Sequence, residues 1–417
     1  MEAVATAEQR SPERFKILAL IFISVVINYM DRSNMAVAAP LISEELGFTS
    51  VHMGWIFSAF GLTYALFQIP GGVVVDYVKP RILYPFILVA WSLATLIQGL
   101  VSSVAALVGC RLAIGVFEAP SYPANNKIVT AWFSEDQRAS AIAVYTSGQF
   151  IGLAFLTPAL IFIQASVGWR GLFIISGLIG FAWAAIWYLL YRDPKGAENR
   201  AQEKAKQAEQ VQHFKPADVL EAFSYRKLWG IYIGQFCLGA TLIFFLTWFP
   251  TYLMEYRGFS NLKTGLLGAL PYIAAFFGVL ISGTVSDYLV RRGVSKELSR
   301  KAPIIIGLAL STTVIGANYV ESELAVIGFL ALAFFGNGLA SIAWVFVSLL
   351  APSRMVGLVG GCFNFVGGLS AMTVPVVIGY LVEGGDFRPA LFFIAALAAT
   401  GVCSYLFLVG KVERVGD

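Results

Sequence analysis

Runs of about 20 apolar residues recur along almost the whole of this 417-residue chain, separated by short polar connections. As a helix each run crosses about 30 Å of hydrocarbon, which makes a chain of such runs a membrane protein built from helices. Twelve spans are expected, near 15–40, 53–78, 81–102, 104–127, 138–165, 170–191, 226–252, 264–290, 301–320, 322–346, 354–383 and 387–411. The charge content agrees: 13% of residues are charged, against roughly a quarter in soluble domains. The polar gap at 192–225 divides the spans six and six. Three units follow: an N-terminal six-helix bundle at 1–191, a cytoplasmic linker at 192–225 and a C-terminal six-helix bundle at 226–417. The linker's RDPKGAENRAQEKAKQAEQ suits a solvated helix or a flexible connection.

Lys and Arg give the orientation. The termini and the 2–3, 4–5, 6–7, 8–9 and 10–11 connections hold 23 of the 29 basic residues, whereas the opposite connections hold only Arg170, Arg257, Lys263 and Arg388. Positive loops stay in the cytoplasm, so both termini and the linker are expected there. The polar start, MEAVATAEQRSPERFK, carries no cleavage-site pattern and reads as leading into an uncleaved anchor.

The two halves resemble each other. GGVVVDYVKPR at 71–81 matches SGTVSDYLVRR at 282–292, and GQFIG at 148–152 matches FNFVG at 363–367. Six spans between repeats preserve orientation, so the repeat is parallel. Two such bundles about an axis along the membrane normal place a site near the midplane between them.

Ionisable residues sharpen this. Asp76 and Asp287 fall at span ends, but Asp31, Arg32, Arg111 and Glu118 lie deep within spans of the first half. Each costs roughly 2.5–3.5 kcal/mol at a helix centre on the insertion scale, so such residues face polar cavities and mark function. Arg111 and Glu118, seven apart, share one face of the fourth span; Tyr29 and Arg32 share a face of the first, and Asp31 points about 100° away. With both carboxylates ionised the arginines have internal partners. Protonating one frees an arginine for an incoming carboxylate, which its planar fork suits. This is a scheme for proton–anion symport. Tyr64, Gln149, Ser341, Trp344 and Asn364 also fall within spans and supply amides, hydroxyls and an aromatic face for a polyhydroxylated substrate.

Other classes find less support. There is no P-loop, zinc-ligand cluster or nucleophile elbow, so neither an enzyme nor a primary pump is expected. A net charge of +4 does not suggest nucleic acid. Cys110, Cys237, Cys362 and Cys403 are far apart and read as small buried hydrophobes; His52 and His213 fall in polar connections, and no metal site is expected. A proton-coupled exporter of cationic or apolar compounds would pair a carboxylate with its cargo, but two buried arginines favour an anion. A sodium-coupled carrier remains open.

The motifs YMDRSNMAVAAP, FSAFGLTYALFQIPGG, RLAIGVFEAPSYPANNKIVTAWF, YTSGQFIGLAFLTP, FFLTWFPTYL, FFGNGLASIAW and GGCFNFVGGL occur in order and cover nearly the whole chain outside the N-terminus and linker. They resemble the anion:cation symporter branch of the major facilitator superfamily. The resemblance implies a monomeric, multi-pass bacterial inner-membrane symporter with no cofactor, coupling protons to import of a sugar acid, D-galactonate foremost, with glucarate or hexuronate as alternatives. It implies proton-coupling roles for Asp31 and Glu118. It implies substrate contacts for Tyr29, Arg32, Tyr64, Arg111, Gln149, Ser341, Trp344 and Asn364. Two departures stand out: Ala343 replaces a threonine found in galactonate-carrying members, so a hydroxyl is expected to be missing close to the pocket, and DYVKPR departs from the superfamily's D-R-x-G-R loop.

Overall fold

The computed structural model describes residues 11–194 and 216–416. Most of the linker and His213 therefore lie outside the described residues. The first pass is α1 (Glu13–Leu46), ended by Gly47 in the left-handed region at φ 67°. The second is broken: α2 (Ser50–Leu66) and α3 (Gln68–Tyr77) meet at 49° across Phe67. A capping box starts α2, with His52 and Thr49 each bonding the other's backbone N–H, which gives His52 a structural role. Next come α4 (Pro80–Gln98), α5 (Val104–Glu118) and α6 (Ser121–Trp132). The fifth and sixth passes run together as α7 (Glu135–Leu190), turned at Gly168, whose φ of 74° and ψ of 173° suit glycine.

The second half opens with the short α8 (Pro216–Ala222), where Arg354 pairs with Glu221 at 2.5 Å and holds that carboxyl below its usual range. Then follow α9 (Arg226–Thr247), α10 (Asn261–Arg291), α11 (Lys296–Ser311), α12 (Glu323–Ala340), α13 (Val345–Leu350), α14 (Val356–Leu381) and α15 (Arg388–Cys403). The tenth pass is interrupted by a tighter turn over Ser341–Trp344. Among the described residues nine helices are long and apolar enough to cross a membrane, or ten with the bent pair counted. One of these is the double pass through Gly168, and α1, with its internal charges, completes twelve.

Packing repeats between the halves. Spans one and five, two and four, and three and six pair in the first half; seven and eleven, eight and ten, and nine and twelve pair in the second. The halves themselves meet where α2 lies on α14 and α7 on α10, contacts that exchange under the same repeat. This is the pseudo-twofold expected from the parallel sequence repeat.

The seam closes only one face. Methyls added at Gly54 and Gly61 of α2 would stand 2.7 and 2.5 Å from the carbonyl oxygens of Pro375 and Ala371, and Ser58 Oγ donates to the Met372 carbonyl. Small residues thus let the two backbones touch. The seam runs from the 47–49 loop as far as Ala65 beside Gly368. Beyond it α2 bends into α3, and Ile69, Val73 and Tyr77 are exposed. On the closed face Trp169 and Arg170 bond Glu45 at 2.6 and 3.1 Å and hold its carboxyl below its usual range.

Two expectations need correction. Cys237 and Cys362 are buried, but Cys110 is half-buried and Cys403 exposed on the last apolar span, where an apolar thiol costs little. Ala343 is 1% exposed and packs inside the second bundle, so its missing hydroxyl does not open onto the gap between the halves.

Candidate functional site

Neighbouring positions on α1 diverge by about 100°, and the two charges there serve different neighbourhoods. Asp31 is fully buried on the side of α4: its Oδ2 accepts from Trp91 Nε1 at 3.0 Å, and its Oδ1 from Asn34 Nδ2 at 3.4 Å. Arg32 turns towards α5, where its Nε donates to Glu118 Oε2 at 2.9 Å. Glu118 is completely enclosed, while the Arg32 side chain keeps 11% of its surface exposed. Losing one partner of such a pair leaves an uncompensated buried charge, which costs about 3–5 kcal/mol.

Aromatic rings surround the guanidinium. Arg32 Cζ lies 4.9, 5.0 and 4.5 Å from the ring centres of Tyr29, Phe60 and Tyr64. Arg111 Cζ lies 4.9 Å from the same Phe60 ring. Ring faces attract a cation without occupying its N–H donors. Arg111 Nε and Nη1, Arg32 Nη2 and Glu118 Oε1 are buried with no hydrogen-bond partner. Of the internal partners expected for the arginines, Glu118 bonds Arg32 directly, Asp31 is held by Trp91 and Asn34, and Arg111 feels both carboxylates through space while leaving two donors open. The reason is geometric, since Asp31 points about 100° away from Arg32 on α1 and reaches Arg111 through space rather than by a hydrogen bond.

Gly115 explains how α5 and α2 come so close. It lies one turn from both Arg111 and Glu118, and a methyl there would stand 2.5 Å from the Phe60 carbonyl oxygen and 2.9 Å from the Tyr64 nitrogen. Thr63 Oγ1 donates to the Leu112 carbonyl at 2.8 Å across the same contact. We expect Gly115→Val to force the helices apart, costing about 1–3 kcal/mol as an overpacked site and displacing Phe60 and Tyr64. Melting of the detergent-solubilised variant checks this; an unchanged melting temperature contradicts the contact.

The remaining first-half residues join the group from α7. Gly148 and Gly152 lie against Phe22 and Val26, bringing α7 onto α1, and Tyr29 Oη donates to Gln149 Oε1 at 2.9 Å. In the second half, Asn364 continues the α14 stripe that meets α2, about one turn past Gly368, where contact has ended; it is exposed. Trp344 is 46% exposed, packs edge-on against Phe363 at 4.9 Å and lies over Gly360. Ser341, half-buried, begins the tighter turn.

The structure thus gathers Tyr29, Arg32, Tyr64, Arg111, Glu118 and Gln149 at one site in the first half. It holds Asp31 against Trp91 beside them, within electrostatic reach of Arg111 and Glu118, and it leaves Trp344 and Asn364 on the second half where the seam ends. Sequence reasoning missed Phe60 and Trp91. Phe60 stands four residues before Tyr64, one turn along the same helix, and that spacing was the available signal. Nothing in the sequence marks Trp91 as the donor to Asp31. Among the described residues no group of His, Cys, Asp and Glu is placed to hold a metal ion. The loop departure is also visible: Lys127 Nζ donates to the carbonyls of Val75, Asp76 and Val78 at 2.5, 3.1 and 3.4 Å, a cation at the C-terminus of α3.

Residues 21–295 match the family described as the Major Facilitator Superfamily. A curated relative from Escherichia coli O6:H1, named "D-galactonate transporter", is 47% identical over the whole of both chains. Another, from Escherichia coli K12 and named "Probable galactarate/D-glucarate transporter GarP", is 37% identical over 96% of each. Among solved structures, a bacterial homologue of the human lysosomal transporter Spinster, inward-facing and unoccupied, aligns over 96% of this chain and 95% of its own with a TM-score of 0.74. At 20% identity that likeness shows a shared fold.

Proposed function

The chain belongs to the Major Facilitator Superfamily, and we propose that this membrane transporter imports a sugar acid anion, D-galactonate, coupled to protons by alternating access. The observation that carries this reading is the pair of guanidiniums, Arg32 and Arg111, whose unpaired N–H groups are buried beside Tyr29, Tyr64 and Gln149. Such a site suits a carboxylate followed by hydroxyls. The substrates in the relatives' names are of this class.

Glu118 is the switch. Ionised, it occupies Arg32 Nε; protonated, it releases that donor and the positive charge to a substrate carboxylate. Asp31 is a second proton carrier, bonded to Trp91 and within electrostatic reach of Arg111. Protons are the coupling ion and no cofactor takes part. Two bundles, 1–191 and 226–417, rock about the seam, joined by the 192–225 linker. With both termini in the cytoplasm of a bacterial inner membrane, the closed face is external and the state inward-open. Ser341, Trp344 and Asn364 close onto the substrate from the second half. A monomer suffices, since the gap lies within one chain.

Competition for D-galactonate uptake tests the substrate. A site built to hydrogen-bond hydroxyls rejects an analogue lacking them, because its own groups are left unpaired. D-Galactonate and D-gluconate are expected to compete and lactate to compete poorly. Equal competition by lactate removes the polyhydroxy pocket. Competition by glucarate or glucuronate alone moves the substrate to a neighbouring class; glucarate is in the name of the 37% identical relative.

A further inference from the structure

Among the described residues Phe60 is the one aromatic ring that both arginines lie over. Its ring centre is 5.0 Å from Arg32 Cζ and 4.9 Å from Arg111 Cζ, so the two guanidinium carbons lie within about 10 Å of each other. The ring is 9% exposed and stacks on Tyr64 at 5.4 Å and 24°, and Tyr64 in turn faces Arg32. Its position is held by the close contact of α2 with Gly115, which fixes the Phe60 backbone against α5. No hydrogen bond can come from a phenyl ring, so whatever Phe60 does to the arginines it does through its face.

That has a chemical consequence. Two like charges at this separation repel, and among the described residues Arg32 alone of the two is in ion-pair contact with a carboxylate, while Glu118 and Asp31 act on Arg111 from further off. A second acid beside Arg111 would hold it, but by taking its donors. A shared aromatic face holds both cations and leaves Arg111 Nε and Nη1 and Arg32 Nη2 unoccupied. A single carboxylate, with its two oxygens directed apart, has the span to take one donor from each of two guanidiniums set this way. We propose that Phe60 is a positioning residue which docks Arg32 and Arg111 on one ring so that a single substrate carboxylate bridges them. The proposal rests on the sugar-acid reading of this site and adds how the acid end is seized.

The test is equilibrium binding of D-galactonate to the purified, detergent-solubilised full chain at one fixed pH, with melting temperature measured in parallel. Phe60→Leu keeps an apolar side chain and removes the ring; Phe60→Tyr keeps the ring. Removing a desolvated cation–π contact from each arginine is expected to raise Kd at least about tenfold in Phe60→Leu, while Phe60→Tyr stays within about threefold of the parent. A residue that only fills space would tolerate Phe60→Met, which is close in volume but has no ring, so that variant separates the two roles. Should Phe60→Leu fail to fold, Phe60→Met replaces it, being flexible and close in volume, with the same tenfold loss expected. Parental affinity in a folded variant without the ring overturns the proposal, as does an equal loss in Phe60→Tyr. Absence of D-galactonate binding to the parent chain is a different result: it overturns the sugar-acid reading, and with it the bridge.

Discussion

Glu118→Gln is expected to abolish uphill accumulation of D-galactonate while leaving substrate exchange across the membrane intact. Glu118 Oε2 takes the Nε–H of Arg32 at 2.9 Å in a fully enclosed pair. The glutamine is a permanent stand-in for the protonated acid, so Arg32 is always free for substrate and the proton that Glu118 would carry no longer accompanies it. One pH unit across the membrane is worth about 1.4 kcal/mol per proton, or tenfold accumulation at one proton per substrate. In the variant that ratio should fall to about one, with counterflow of labelled against unlabelled substrate retained. The unpaired Arg32 carries a desolvation cost of about 3–5 kcal/mol that bound anion relieves, so D-galactonate should raise the variant's melting temperature more than the parent's. Asp31→Asn separates the two carboxylates. It should lose accumulation as well, but without the enhanced ligand stabilisation, because Asp31 bonds Trp91 and Asn34 and no hydrogen bond joins it to Arg32. Parental accumulation by the double variant removes both from proton coupling.

Arg111→Lys should cost most of the affinity although it preserves charge. Arg111 is 2% exposed and its Nε and Nη1 have no partner within the protein. An ammonium is a compact point charge and cannot reproduce the fork. Hydrogen bonds to charged groups contribute about 1.5–3 kcal/mol each, so losing one raises Kd by roughly tenfold to a hundredfold. The ring contact with Phe60 also weakens, since the guanidinium plane that faced it is gone. Binding measured by calorimetry at constant pH decides this. An unchanged Kd in the lysine variant excludes recognition through the Arg111 fork.

The sequence carried the architecture because lipid imposes simple rules. Span length, the Lys and Arg bias and a parallel repeat each follow from solvent or topology, and the packing of span two on four and eight on ten bears out the repeat. The deep charges were legible for the same reason: Asp31, Arg32, Arg111 and Glu118 are conspicuous in apolar runs. Their pairing was not. Helical spacing ruled out a shared direction for Asp31 and Arg32, but it could not say that Arg32 crosses to Glu118, 86 residues away, or that Trp91 crosses 60 residues to Asp31. Phe60 was nearly hidden, because a phenylalanine in an apolar span carries little signal beyond its one-turn spacing from Tyr64. Ala343 shows the converse. A departure from a motif drew attention to a position that the fold buries inside a bundle.

Uptake of labelled D-galactonate into proteoliposomes of the purified chain, with an alkaline interior and no sodium, tests the central claim most directly. Proton coupling predicts a transient rise of internal substrate well above the external concentration, proportionate to the imposed pH difference and erased by a protonophore. Equilibration to the external concentration regardless of the gradient, or accumulation that appears only when sodium is added, would contradict it.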